Sequence, residues 1–229
     1  MTRKLVLFDI DGTLMSAGRA ARDAFAEALQ AVYGYDGPLD RYDFSGRTDP
    51  QIATMILRDA GWSNGDLEAR FPDLWAHYLS ALARNVSGQA RVLPGIGALL
   101  DALAADRRVV LALLTGNIEP GARLKLGAAQ LNGFFPFGAF GSDSAKREEL
   151  PPIAVARAAA RDGHAFLGRD VVIIGDSIYD VRCGVPHDAR TIAVASGKTP
   201  RALLAAEHPD FLFDSAEDRE ALLAAVLGD

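Results

Sequence analysis

Short runs of consecutive apolar residues recur along the chain, and each run ends at a polar or small residue. The clearest runs cover residues 5–8, 109–114, 171–174 and 191–194, and weaker ones cover residues 137–140 and 211–213. Runs of this length are typical of strands that are buried on both faces of a parallel sheet. Segments with helical spacing separate most of them, at residues 97–105, 120–131, 152–161 and 201–206. The alternation predicts an α/β fold with a doubly wound, mainly parallel sheet.

One long stretch, between the first strand and the sequence LPG at residues 93–95, contains helical patterns and no convincing strand. The predicted helices cover residues 17–33, capped by Ser16; residues 50–61, capped by Thr48 or Asp49; a third beginning at Asn64; and residues 72–85. A helical connection of this length indicates an inserted domain rather than a loop. We therefore predict a helical insert over residues 16–89 and an α/β core formed by residues 1–15 and 90–229.

Composition narrows the classes of function. The chain has 229 residues, 49% of them apolar, and no apolar run approaches the roughly 18 residues that span a bilayer. The single cysteine, Cys183, permits a reducing compartment, so we expect a cytoplasmic protein. A net charge of −6 disfavours a broad nucleic-acid-binding surface. We therefore expect neither a membrane nor a nucleic acid as partner, whereas a small anionic substrate fits if a few basic residues converge.

The predicted first strand is followed by the sequence DIDGT at residues 9–13. Ligands of doubly wound sheets bind at the carboxyl ends of the strands, so Asp9 and Asp11 are expected at that edge. Residues two apart on an extended backbone point the same way, which allows one nucleophile and one proton donor to share a hard cation. A calcium loop does not fit, because its sixth and twelfth positions would be Leu14 and Ala20. An acidic turn after a strand is the simpler alternative.

Two further motifs follow predicted strands. The sequence TGN at residues 115–117 combines a hydroxyl with backbone N–H groups near a helix start, which is typical of an anion site but also of an ordinary turn. Asp176 closes another buried strand and Asp180 follows four residues later, so both carboxylates are predicted to face the same site. Alternatively, Asp176 or Ser177 caps the following helix.

A basic pair, Lys146 and Arg147, stands before the sequence EELPP at residues 148–152. Four carboxylates and a phosphate need positive charge beyond one metal ion, and this pair follows the weaker strand candidate at residues 137–140. A solvated charge run ahead of a helix is an equally good interpretation of the local sequence.

Taken in chain order, the four motifs are residues 9–13, residues 115–117, the region of Lys146 and Arg147, and Gly175-Asp176 with Asp180. Together they resemble those of the haloacid dehalogenase superfamily, in particular its phosphoglycolate phosphatase and β-phosphoglucomutase branch. The resemblance covers nearly the whole chain, because the helical insert after the first motif is similar to the helical cap of that branch. It implies a Rossmann-like core with an all-helical cap domain. It also implies a Mg²⁺-dependent phosphatase that hydrolyses small phosphate monoesters, resembling phosphoglycolate or sugar phosphates, through an aspartyl-phosphate.

The resemblance also implies roles for individual residues. Asp9 is the expected nucleophile, and Asp11 is the expected general acid and then general base. The expected Mg²⁺ ligands are Asp9, the backbone carbonyl of Asp11, and Asp176, with Asp180 in support. The expected phosphate-binding residues are Thr115, Gly116, Asn117, Arg147 and Lys146.

The sequence departs from the family pattern in one place and leaves one cap residue to be placed. The family usually has a lysine directly before a Pro-x-Pro segment, whereas Glu148 and Glu149 stand nearest here. Arg147 is the first choice for that role because of its longer reach, and Lys146 is the second. Arg47, at a predicted helix start in the insert, is the best candidate for binding substrate from the cap, although it also fits a plain surface arginine.

Other functions use related motifs. The founding dehalogenases resemble this pattern without an acid two residues after the nucleophile, so Asp11 disfavours them. A phosphomutase of the β-phosphoglucomutase type uses the same four motifs and remains the main alternative. A response-regulator receiver also uses a phosphorylated aspartate with Mg²⁺, but the helical insert and the DIDGT order fit it poorly. A catalytically inactive scaffold is disfavoured because every carboxylate is present.

Overall fold

The computed structural model describes residues 3–228, and only the backbone of Asn64. The strands are β1 (Lys4–Phe8), β2 (Met15–Ser16), β3 (Arg91–Val92), β4 (Val109–Thr115), β5 (Gly138–Phe140), β6 (Val171–Gly175), β7 (Arg190–Val194) and β8 (Phe211–Phe213). The helices are α1 (Ala20–Tyr33), α2 (Asp49–Asp59), α3 (Asn64–Glu68), α4 (Phe71–Asn85), α5 (Ile96–Ala105), α6 (Glu119–Ala128), α7 (Leu150–Asp162), α8 (Ile178–Gly184), α9 (Arg201–Ala206) and α10 (Arg219–Leu227). Strands and helices alternate after β3, as the apolar pattern predicts.

Six of these strands form a parallel sheet in the order β5-β4-β1-β6-β7-β8. At the centre, Phe8 of β1 lies opposite Leu113 of β4 and Ile174 of β6. The carboxyl ends of β1, β4 and β6 therefore lie side by side, at the edge where doubly wound sheets bind their ligands. The predicted α/β core with a parallel sheet is confirmed.

The sheet is buried on both faces, which explains the unbroken apolar runs of its strands. Alternate residues of β1 belong to different apolar clusters. Val6 and Phe8 pack in the cluster that includes α5 and α10, whereas Leu5 and Leu7 pack in the cluster that includes α7. All four side chains are fully buried, and each contributes on the order of 1.5 to 3 kcal/mol to folding. This double burial holds the end of β1, and hence the first motif, at a defined position.

The segment between β2 and β3 is helical, as predicted. Its longest helices, α1 and α4, pack against each other, and the rings of Phe25 and Tyr78 meet edge to face at 5.4 Å between centroids. Thr48 caps α2 by accepting a hydrogen bond from the backbone N–H of Gln51 at 3.2 Å. The apolar cluster of this segment is continuous with the one on the α5 face of the sheet. The division into a domain over residues 16–89 and a separate core stays a prediction.

Some element boundaries differ from those predicted. Ser16 does not cap a helix: it lies in β2, whose backbone pairs with β3, and α1 begins only at Ala20. This antiparallel pair joins residues 75 positions apart (Ser16 with Arg91), so no local pattern indicates it. Helix α6 ends at Ala128 rather than at residue 131, because Gln130 adopts a positive φ of 59°. Within residues 3–228 no helix is both long and apolar enough to cross a membrane.

We expect Gly95→Ala to destabilise the protein by at least about 2 kcal/mol. Gly95 precedes α5 with φ of 80°, which costs a non-glycine residue roughly 1 to 2 kcal/mol, and an added Cβ would overlap the carbonyl of Ala216. The free energy of unfolding in urea measures the effect.

The matched control is Gly97→Ala, two residues further along in α5. An added Cβ there meets no atom within 4 Å, so removing the glycine should stabilise the helix by about 0.5 to 1 kcal/mol. Similar effects of the two substitutions would show that the close approach of Gly95 to Ala216 does not constrain the fold.

Candidate active site

The first motif turns sharply as it leaves the sheet. Asp9 extends the ladder by donating its backbone N–H to the carbonyl of Ile174 at 3.0 Å. Gly12 then adopts φ of 89°, and a Cβ at this position would lie 2.5 Å from Oδ2 of Asp176. Only glycine permits the chain to pass so close to a second carboxylate. The turn therefore brings the carboxyl ends of β1 and β6 into one site.

Three buried carboxylates meet at this edge. Single oxygen atoms of Asp9, Asp176 and Asp180 all lie within 4.8 Å of one another, a spacing that suits a shared metal ion. Asp176 also accepts a hydrogen bond from Oγ1 of Thr13 at 3.2 Å. The fold thus brings together carboxylates that are as far as 171 positions apart in the sequence (Asp9 and Asp180).

The helix-capping alternative for the last motif is settled by the geometry of α8. Ser177 is the capping residue: its Oγ accepts from the backbone N–H of Asp180, and its own N–H donates to Oδ2 of Asp180 at 2.9 Å. Asp176 is not used as the cap and faces the other carboxylates. Capping and clustering therefore coexist, since Asp180 uses Oδ2 for the cap and Oδ1 for a bond to Arg147.

One buried guanidinium holds the cluster together. Nη2 of Arg147 donates to Oδ1 of Asp9 at 3.1 Å and to Oδ1 of Asp180, and also to the carbonyl of Leu114 at 3.2 Å. Its side chain is only 4% exposed. The neighbouring Lys146 is placed differently: its side chain is 67% exposed and its Nζ pairs with Glu149 at 3.2 Å. Of the two basic candidates, the structure brings Arg147 into the cluster and leaves Lys146 outside it.

The cluster carries more negative charge than Arg147 balances. Burial raises the pKa of Asp9 to about 6, with Arg147 opposing the shift and Asp180 and Asp11 adding to it. Burial, Asp9 and Asp180 also raise the pKa of Asp176 well above its ordinary value. Although burial alone would lower the pKa of Arg147, the carboxylates of Asp180 and Asp9 raise it. A divalent cation would offset the remaining charge, so these residues fit a metal site.

The second motif lies beside this cluster, at the end of β4. The side-chain amide of Asn117 donates to Oγ1 of Thr115 and to Oδ2 of Asp11, both at 2.8 Å. Gly116 lies against residue 47 of the insert, and an added Cβ there would overlap the carbonyl of Arg47. The three residues of the motif line the same cavity as Asp9 and Asp11. The structure therefore brings the predicted phosphate-binding loop to the predicted catalytic aspartates.

Two residues of this site are absent from the sequence-based candidates. Lys125 of α6 is buried and donates through Nζ to Oδ2 of Asp11 and to Oδ1 of Asn117, both at 2.6 Å. Asp49 of α2 is also buried, and its carboxylate accepts from the backbone N–H of Ile118 at 2.8 Å. A lysine among the otherwise uncharged buried residues of α6 is the signal in the sequence that could have indicated Lys125.

The insert reaches into the site through residues 46–49. The carbonyl of Gly46 accepts from Nη1 of Arg147 at 3.2 Å, and Oγ1 of Thr48 donates to the carbonyl of Ala145 at 2.7 Å. The backbone N–H of Asp49 donates to the carbonyl of Gly116 at 2.8 Å. Burial raises the pKa of Asp49 to about 6, opposed by Lys125 and by the hydrogen bond from Ile118. These contacts dock the insert directly on the loops of the second and third motifs.

The site opens into a cavity of about 340 Å³ between the sheet edge and the insert. The carboxylates, the second motif, Lys125 and Arg147 line one side. Apolar and aromatic side chains of the insert line the other, among them Phe25, Phe44, Ile52 and Tyr78. Arg47 also lines the cavity. Its buried Nε has no hydrogen-bond partner within residues 3–228, and its guanidinium lies 5.3 Å from the centre of the Tyr179 ring.

A parallel α/β core with acidic motifs at its carboxyl edge is the architecture of the haloacid dehalogenase-like hydrolases. The sequence pattern of that family matches residues 6–184 of this chain, a range that contains every site residue described above. The chain therefore belongs to the haloacid dehalogenase-like hydrolase family.

Individual proteins are similar to this chain. Protein CbbY of Rhodobacter capsulatus is 28% identical over 161 residues, which are 67% of this chain and 69% of that protein. A structure from Haemophilus somnus, assigned by prediction as a phosphoglycolate phosphatase, has a TM-score of 0.72 at 18% identity and covers 97% of this chain and 99% of its own. One from Thermotoga maritima, assigned provisionally as a β-phosphoglucomutase, has a TM-score of 0.66 at 20% identity, with 98% and 100% covered. At such identities the two structures establish the shared fold.

We expect Arg147→Met to destabilise the protein by about 3 to 5 kcal/mol, because it leaves the carboxylates of Asp9 and Asp180 buried without their cation. Lys146→Met removes only an exposed pair and should change stability by less than about 1 kcal/mol. Urea unfolding of both variants, without added metal, gives the comparison. Equal losses would mean that Arg147 does not hold the cluster together.

Proposed function

We propose that the protein is a Mg²⁺-dependent phosphatase that hydrolyses small phosphate monoesters through an aspartyl-phosphate on Asp9. The observation that carries the proposal is the meeting of Asp9, Asp11 and the loop of Thr115 and Asn117 at one cavity. A nucleophile, a proton-transfer group and an anion-binding loop are the parts that phosphoryl transfer requires. We also propose a cytoplasmic location, which the sequence alone supports.

The metal would be held by Asp9, Asp176 and the backbone carbonyl of Asp11, with Asp180 in support. When bound, Mg²⁺ supplies positive charge that neutralises the carboxylates and the phosphoryl oxygens. The close spacing of Asp9, Asp176 and Asp180 and their excess negative charge support this choice.

In the first step, a carboxylate oxygen of Asp9 attacks phosphorus. The bond between phosphorus and the leaving oxygen breaks, and Asp11 gives a proton to that oxygen so that an alcohol departs. Asp9 is well placed to attack, because the bond from Arg147 to its Oδ1 orients the side chain. The products of this step are the free alcohol, the aspartyl-phosphate and an ionised Asp11.

In the second step, water attacks phosphorus of the aspartyl-phosphate. Asp11 takes a proton from that water, the bond between phosphorus and the oxygen of Asp9 breaks, and inorganic phosphate is released. Both Asp9 and Asp11 return to their starting forms. Thr115, Gly116 and Asn117 would hold the phosphoryl oxygens during both steps, which stabilises charge without moving protons.

The leaving group would occupy the part of the cavity that the insert lines. We infer that Arg47 binds an anionic group of the substrate there, because it lines this region and its buried Nε has no hydrogen-bond partner among the described residues. Substrates resembling phosphoglycolate or sugar phosphates carry polar or anionic groups next to the ester. The assignment by prediction of the Haemophilus somnus relative as a phosphoglycolate phosphatase supports this substrate class.

A phosphomutase of the β-phosphoglucomutase type is the second candidate, favoured by the provisional assignment of the Thermotoga maritima relative. Such an enzyme passes the phosphoryl group from the aspartate to a sugar phosphate instead of to water. Incubating phosphorylated enzyme with water alone, and then with sugar phosphates, separates the two functions. Rapid release of inorganic phosphate in water alone favours the phosphatase.

Activity should require both Asp9 and a divalent metal. We expect Asp9→Asn to abolish hydrolysis of a generic aryl phosphate while leaving the fold intact, because the amide cannot form the aspartyl-phosphate. Excess chelator should abolish wild-type activity, and Mg²⁺ should restore it. Full activity of Asp9→Asn, or wild-type rates in chelator, would contradict the proposed function.

Arg47→Ala should change discrimination between substrates rather than chemistry. We expect it to raise KM for phosphate esters that carry a second anionic group, with little effect on an aryl phosphate. A matched control is Arg19→Ala, since Arg19 of the insert is 67% exposed, pairs with Asp23 and does not line the cavity. Equal effects of Arg47→Ala on both substrates would show that Arg47 does not bind the second anionic group.

A further inference from the structure

Lys125 is a buried cation that contacts Asp11, the proposed proton-transfer group. Its side chain is 4% exposed, whereas that of Asp11 is 42% exposed. Nζ donates to Oδ2 of Asp11 and to Oδ1 of Asn117, each at 2.6 Å. The amide of Asn117 donates in turn to the same Oδ2 of Asp11 at 2.8 Å. Lys125, Asn117 and Asp11 thus form a closed triangle of hydrogen bonds.

The burial of Lys125 makes this triangle rigid. A buried ammonium group is stable only when it is paired and hydrogen-bonded, because leaving it unpaired costs several kcal/mol. Among residues 3–228, the hydrogen bonds of its Nζ go to Asp11 and Asn117. Rotation of the Asp11 carboxyl group away from this position would leave the buried ammonium with only the amide oxygen of Asn117 as a hydrogen-bond acceptor, so Lys125 favours the observed orientation of Asp11.

The two oxygens of Asp11 are consequently different. Oδ2 accepts from both Lys125 and Asn117, while Oδ1 accepts no hydrogen bond from the described residues. Asp11 lines the cavity and is partly exposed there. Oδ1 is thus the oxygen available to a water or a leaving group, and Oδ2 is the one that anchors the side chain.

We propose that Lys125 is a positioning residue, which anchors Asp11 through Oδ2 so that Oδ1 accepts the proton of the attacking water. The inference rests on the proposed function, because it assigns a support to the proposed general base. Lys125 itself transfers no proton in this role. Its contribution is the orientation of a side chain that is 42% exposed and is otherwise held by the single hydrogen bond from Asn117.

A purely structural role is the competing explanation. Lys125 also ties α6 to the turn after β1, and loss of that tie alone would displace Asn117 and weaken both chemical steps together. Loss of the orientation of Asp11 would instead affect the two chemical steps unequally. With an aryl phosphate the leaving group departs readily without an acid, so phosphorylation of Asp9 survives, whereas hydrolysis of the aspartyl-phosphate still needs an oriented base.

The experiment measures both steps in Lys125→Met with an aryl phosphate and Mg²⁺. We expect a burst of aryl alcohol close to one equivalent of enzyme, followed by steady turnover at least about tenfold slower than wild type. General base assistance is typically worth about 10² to 10⁴ in rate, so the loss of its orientation should be visible at this level. Intact mass after rapid quenching should show an added phosphoryl group, on the peptide that contains Asp9.

Three further variants complete the test. Asp11→Asn removes the general base itself, so it shows how much phosphoenzyme accumulates when base assistance is lost completely. Lys125→Gln retains one uncharged donor and should accumulate less phosphoenzyme than Lys125→Met; it also serves if the methionine variant does not fold. Lys146→Met, whose ammonium lies outside the cavity and pairs with Glu149, is the matched control and should show no burst.

The outcomes separate this inference from the function on which it rests. Phosphoenzyme in Asp11→Asn and in the Lys125 variants supports the positioning role. A different result would overturn the role of Lys125 and leave the proposed function standing. In that result phosphoenzyme accumulates in Asp11→Asn but not in the Lys125 variants, whose burst and turnover are either equally reduced or unchanged. No hydrolysis by wild type and no label on any variant would overturn both.

Discussion

The need to keep several carboxylates together at one buried edge governs the structure of this protein. Asp9 and Asp176 directly follow the central strands β1 and β6, and α8 adds Asp180 to the same point. Like charges at this spacing repel strongly in a medium from which water is excluded. Arg147 reduces the repulsion by binding Asp9 and Asp180 simultaneously, and a divalent cation would offset the rest. Both the site and the packing around it depend on that balance.

The same constraint explains why the insert approaches so closely. Arg147 uses one nitrogen for the carboxylates and another for the carbonyl of Gly46, so the cation that stabilises the cluster also binds the insert. Close approach requires small residues on the facing loops. At Gly116 and Gly141 an added Cβ would overlap a backbone carbonyl of a neighbouring loop. The position of the insert and the charge of the site are therefore coupled through Arg147.

A second cation, Lys125, binds the other aspartate of the first motif. Lys125 and Asn117 hold Asp11 in one orientation, whereas Asp9 is oriented by Arg147. The two aspartates of the first motif stand two residues apart, yet each has its own buried positive partner. This separation suits the different tasks proposed for them, since one must attack phosphorus and the other must move protons.

The sequence by itself determined the parallel α/β core, because burial on both faces leaves unbroken apolar runs such as residues 5–8 and 171–174. It also determined which carboxylates reach the sheet edge, since Asp9 and Asp176 directly follow those runs. Only the tertiary structure showed that Arg147, and not Lys146, lies among the carboxylates, and only it revealed Lys125 and the pairing of Ser16 with Arg91. The physical reason is distance along the chain: local patterns report which face of an element is buried, whereas ion pairs between distant segments depend on how those elements pack.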